Sequence, residues 1–106
     1  MSANRLIVVW VTTPSENSAK AIAAALVEQR LAACATITPA YSVYRWQGAV
    51  EHAQEWQLSI KTHRERLTAL QALVHRLHSY DVPEILALPI LGGSPRYLSW
   101  LAAQVT

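Results

Sequence analysis

Polar and apolar residues alternate without a break from Glu55 to Lys61. Trp56, Leu58 and Ile60 fall on one side, and Glu55, Gln57, Ser59 and Lys61 on the other, the period of a strand with one buried face. Arg5 to Thr12 reads RLIVVWVT, a continuous β-branched run that predicts a strand buried on both faces. Thr13-Pro14-Ser15-Glu16 then predicts a helix start, with Thr13 as cap, Pro14 at the first position and Glu16 closing a capping box. Ala19, Ile22, Ala23 and Leu26 follow at helical spacing to about Arg30. Cys34 to Trp46 predicts a strand interrupted at Pro39, a residue confined to sheet edges and bulges. Gln47-Gly48 turns the chain into a second strand that runs through Thr62. Thr62 and Glu65 form a second capping box, opening a helix to about His78 with Leu67, Leu70, Val74 and Leu77 as its apolar stripe. Glu84 to Leu91 predicts a fourth strand, and Ser94-Pro95 caps a last short helix.

The order β-α-β-β-α-β plus a terminal helix contains two strand–helix–strand units. Right-handed crossovers make it an α+β, ferredoxin-like antiparallel sheet with both main helices on one face and an additional C-terminal helix. All 106 residues read as a single domain, with no linker or repeat. The lengths do not match, however. A strand of about 14 residues runs ~48 Å, whereas a helix of about 16 residues covers only ~24 Å. The hairpin must project past its helices, carrying Tyr41, Tyr44 and Trp46 near its tip. Exposed strand edges and aromatic residues invite a second chain, and a closed ring satisfies them without open-ended growth.

Composition agrees with that need for a partner. Apolar residues make up 52% and charged residues 15%, where a free-standing domain carries about 25% charged. The net charge is only +2 and no run of Lys and Arg occurs, which argues against a nucleic-acid partner. Cys34 is the sole cysteine, so no intrachain disulfide forms, as expected in a reducing compartment. The apolar run Leu6 to Val11 is too short for a membrane span or signal peptide, so the expectation is a cytoplasmic protein without a membrane partner.

Six segments, in order, resemble one family: LVEQRLAAC (Leu26 to Cys34), YRWQG (Tyr44 to Gly48), IKT (Ile60 to Thr62), YDVPE (Tyr80 to Glu84), LPI (Leu88 to Ile90) and YLSW (Tyr97 to Trp100). They are similar to the CutA divalent-cation-tolerance proteins. The resemblance implies a ferredoxin-like subunit in a homotrimer whose hairpins join neighbouring sheets. It also implies tolerance of copper and other divalent metals, and no established catalytic reaction.

The candidate sites keep two readings each. Cys34 is the one soft ligand, suited to Cu(I) or Zn, or else a small buried residue at a strand start. No base identifies it as a nucleophile, and an enzyme is not expected. His75 and His78 stand three apart, either on one helical face as metal ligands or as cations near a helix C-terminus. Some copper-binding CutA relatives carry two histidines here and a cysteine on the first strand. In this chain only His78 matches; Leu77, Ser79 and Val11 occupy the other positions of that pattern. His78 is therefore the candidate ligand for Cu²⁺, while His52 and His63 read as surface residues. Cys34, Glu55, Lys61, Tyr80 and Glu84 are assigned to an intersubunit cleft, where structural ion pairing and ion binding are both open. Tyr44 and Trp46 are assigned to the trimer interface. Trimeric PII-type signalling proteins, which bind nucleotides in such clefts, are the alternative, supported only by Gly92-Gly93.

Overall fold

The computed structural model describes residues 5–105. Strands β1 (Leu6–Thr13), β2 (Cys34–Trp46), β3 (Ala49–His63) and β4 (Ile85–Pro89) form one antiparallel sheet in the order β2-β3-β1-β4. Helices α1 (Glu16–Glu28) and α2 (Leu67–Leu77) cross one face, and α3 (Pro95–Gln104) closes the end of the sheet. This is the ferredoxin-like order expected from the sequence.

The period-two pattern decides which face is covered. Cross-strand partners share a face, so Val9 with Ile60 and Val11 with Leu58 meet Ile22, Leu26, Leu70 and Val74 from the two helices. A smaller cluster of Leu6, Ala33, Leu101 and Val105 anchors α3. The opposite face carries Val8 and Trp10 of β1, Leu86 and Leu88 of the edge strand β4, and Cys34, Lys61, Glu55, Tyr44 and Trp46 along the hairpin. Among the described residues, no helix lies across its centre.

β2 and β3 pair in one unbroken register from Cys34–Lys61 to Trp46–Ala49. Pro39 sits opposite Trp56 without a bulge, and β2 is an edge strand, so the missing N–H costs no ladder bond. The turn places Gln47 at φ 49° and Gly48 at φ 83°, the two left-handed residues of a type I′ hairpin. β1 pairs with β3 only from Trp56 onward, leaving residues 49 to 55 paired in the sheet with β2 alone. Seven residues at ~3.4 Å each project about 24 Å, and the molecule measures 44 × 25 × 21 Å.

Ser94 caps α3 as expected, but the other two expected helix caps move by one or two residues. Ser15, not Thr13, accepts the Ser18 N–H at 3.1 Å; the Thr13 hydroxyl donates instead to the Ser15 and Trp56 carbonyls. Before α2, a 3₁₀ turn (Arg64–Arg66) is capped by the His63 ring, while the Thr62 hydroxyl donates to the Leu31 carbonyl at 2.8 Å. In both cases a buried threonine at a strand end answers a nearby carbonyl rather than the helix.

Candidate functional site

At the end of β1 the chain leaves the sheet, and the segment from Ser79 to Glu84 runs beside the base of the projecting hairpin. Between them lies a groove of about 750 Å³. Its walls include Tyr44, Trp46 and Glu55 of the hairpin and Tyr80, Asp81 and Glu84 of the segment.

Glu55 comes from the outward side of β3, as its alternation requires, yet it is only 4% exposed. Tyr80 covers it, donating its hydroxyl to Oε2 at 2.7 Å. Burial first, then this bond and the Glu55 charge, push the Tyr80 hydroxyl well above its ordinary pKa, so it stays a donor. Glu84 stands on the rim, where partial desolvation and then Glu55 raise its carboxyl above the usual range.

Tyr80 is held in place by His78. The expected helical histidine pair does not exist, because α2 ends at Leu77 and His78 is its extended C-cap, whereas His75 lies exposed on the last turn. The buried His78 ring takes the Tyr80 N–H at Nδ1 (3.0 Å) and donates from Nε2 to the Thr12 carbonyl (2.7 Å). This ring ties the segment to the end of β1. Both nitrogens are occupied, so a copper ion at His78 does not fit this geometry: coordination would break one of the two bonds and release Tyr80. Among the described residues, no three of His, Cys, Asp and Glu come together as a metal site.

The five residues assigned to one cleft divide in two. Cys34 and Lys61 are direct cross-strand partners at the other end of the open face. Tyr97 of α3 completes that cluster, with its hydroxyl 3.4 Å from Lys61 Nζ and 3.7 Å from Cys34 Sγ. Lys61 is six residues from Glu55, about 20 Å along an extended strand, so the two do not pair within the chain. Neither Asp81 nor Tyr97 was singled out as a site residue by the sequence. YDVPE and YLSW were the available signals, but neither spacing shows which strand residues they meet.

Tyr44 and Trp46 lie on the open face near the hairpin tip and are 40% and 44% exposed, in neither apolar cluster of the chain. Tyr41 and Val43, on the other face of β2, are exposed too. His52 is a surface residue that shares a bond with the Tyr41 hydroxyl at 3.1 Å.

His63, expected at the surface, is 2% exposed. Its Nδ1 accepts the Glu65 N–H, so the neutral ring carries its proton on Nε2, which finds no partner among the described residues. Burial lowers its pKa below 6.5, despite the opposing pull of Glu65. The unfolded chain therefore binds more protons than the folded one as pH falls below 6.5, and stability is lost in that window. Protonation also turns the capping acceptor into a donor facing an N–H. The melting temperature should fall between pH 7 and pH 5, and His63→Asn should flatten this part of the profile in a differential scanning calorimetry series.

A family model for the CutA1 divalent ion tolerance protein matches residues 7–104. The chain belongs to the CutA1 family. The divalent-cation tolerance protein CutA of Thermus thermophilus is 53% identical over 95 residues, covering 89% of this chain and 92% of the relative. The chloroplastic protein CutA of Arabidopsis thaliana is 48% identical over 96 residues; these cover 90% of this chain but 53% of the relative, so the chain spans about half its length. The solved structure of the Thermus thermophilus divalent cation tolerance protein (Cut A1) superposes with a TM-score of 0.92 at 49% identity, covering 95% of this chain and 99% of that one. On this CutA1 fold two of the family-like segments meet at the groove, YRWQG at the hairpin tip and YDVPE in the groove wall, while IKT near the end of β3 presents Lys61 to the open face.

Proposed function

We propose that the chain works as a cytoplasmic homotrimer in divalent-cation tolerance, with copper as the metal concerned and no catalytic reaction of its own. The observation that supports assembly is the hairpin: about 24 Å of it leaves the helix-covered sheet with apolar side chains exposed on both faces. Trp10 and Leu86 extend this exposed apolar surface across the open face. A surface of that kind in water marks an interaction site. No described helix is long and apolar enough to cross a membrane, which leaves a partner chain as the cover the reading favours. In the trimer, the groove at Glu55, Tyr80 and Glu84 and the cluster at Cys34 and Lys61 would both border subunit boundaries.

Sedimentation equilibrium tests the assembly. Three copies of 11.7 kDa give about 35 kDa; a species of one chain mass at micromolar concentration sinks it. Copper is tested separately by calorimetric titration of the wild type and His78→Ala. Equal binding in both is expected, because both ring nitrogens are already engaged; binding lost in the variant would overturn that geometry.

A further inference from the structure

The end of α3 is held by the turn that follows β3. Leu101 of α3 and Val105 just after it pack with Leu6 of β1 and Ala33. Leu6 is the cross-strand partner of His63, so the histidine stands beside the same cluster. The last carbonyls of a helix have no intrahelical N–H to accept, and here two guanidinium groups answer them. Arg30 Nη1 donates to the Gln104 carbonyl at 3.2 Å, and Arg66 Nε to the Val105 carbonyl at 2.9 Å. Arg66 closes the 3₁₀ turn that the His63 ring caps through the Glu65 N–H.

The buried His63 ring is only half satisfied. Its Nε2 is the only buried side-chain nitrogen or oxygen among the described residues with no hydrogen-bond partner. A proton added at Nδ1 would face the Glu65 N–H, donor against donor, and leave a charged ring out of water. The surrounding charges give it little relief. Arg5 and Arg66 act on the ring with like sign; Lys61 shares its side of β3 and Arg64 follows it. Glu65 opposes them, 3.9 Å from Nδ1, but Arg5 already engages it at 2.6 Å. β4 and the last two turns of α3 bring no ionisable side chain. A protonated ring must therefore swing out, which uncaps the turn and carries Arg66 away from Val105.

We propose that α3 is a latch that protonation of His63 opens. Opening frees the turn Arg64–Arg66, breaks the Arg66–Val105 bond and lets α3 lift from Leu6. Tyr97 then leaves Lys61 and Cys34, so the same end of the open face is uncovered. The latch lies within one chain and holds whether or not copies assemble. It differs from a general loss of stability because the helix opens while the rest of the sheet stays folded.

Amide hydrogen exchange of the full chain, expressed as protection factors at pH 7 and pH 5, tests the latch. Amides of α3 should exchange through an opening less protected than that of Val9, Leu58 and Ile60. Their protection should fall about tenfold on acidification, below a ceiling of about thirtyfold set by a ring that titrates near 6.5 once released. His63→Asn keeps an acceptor for the Glu65 N–H without titrating, and its α3 protection should be equal at the two pH values. Arg66→Met cuts the tie to Val105, so α3 should be loose at pH 7 already and gain little on acidification.

Steady α3 protection from pH 7 to pH 5 in the wild type overturns the proposal. So does α3 exchange at the level of the core at both pH values, because the helix then opens only with the whole fold. An undiminished pH response in His63→Asn places the proton elsewhere and overturns it too. Wild-type exchange in Arg66→Met removes the connection between turn and helix on which the latch depends.

Discussion

Replacing Tyr44 and Trp46 together by serine is expected to convert the proposed trimer into a folded monomer, seen as a drop in sedimentation mass to a single chain with an unchanged far-ultraviolet spectrum. Both side chains lie on the open face of β2, and neither belongs to a core cluster of its own chain. Their loss therefore removes little intrachain packing. The hairpin keeps its register because the Gln47-Gly48 turn and the ladder from Cys34 to Trp46 do not depend on them. At an interface the same two residues are the large amphipathic anchors on which binding energy concentrates, at about 2 kcal/mol or more each. Two anchors in each of three contacts come to roughly 12 kcal/mol per assembly, enough to abolish a micromolar trimer. A double variant that still sediments as the wild type would show that the tip holds no neighbour.

Leu58→Ala is expected to act the other way, on the fold rather than the assembly. Leu58 is completely buried between Val11 of β1 and Ile37 of β2, beneath both main helices. A large-to-small change in such a site costs about 2–5 kcal/mol, because neighbours anchored on three strands and two helices cannot collapse into the cavity. Against a total of about 5–15 kcal/mol that is a large fraction. For a domain of this size the melting temperature should drop by roughly 10 °C or more, while sedimentation below the new transition still gives the wild-type mass. A drop of under two or three degrees would mean that the site repacks, contrary to its position at the centre of the sheet.

The parts of the fold that were legible in the sequence are those set by local pattern. Trp56, Leu58 and Ile60 against Glu55, Gln57, Ser59 and Lys61 assigned the faces of β3 correctly. Gly48 marked the turn and Ser94-Pro95 the start of α3. The caps were misread because Thr13 and Thr62 have carbonyl partners far along the chain, at Trp56 and Leu31, which no spacing rule contains. His78 was placed on a helix because three-residue spacing carries no sign of where α2 stops; its buried ring instead finds Thr12, 66 residues away.

The candidate site divides along the same line. Alternation placed Glu55 and Lys61 on one face, and the family-like segments drew attention to Tyr80 and Glu84. Only the tertiary structure showed that Glu55 is buried under Tyr80 while Lys61 lies about 20 Å away with Cys34 and Tyr97. The physical reason is range. Side-chain periodicity and turn chemistry act over a few residues and are written in the chain, so the sequence by itself determined the order of elements, the over-long hairpin and the covered face. Burial, hydrogen-bond partners and the charge of the groove arise where segments distant in sequence meet, and those the packed structure alone decided.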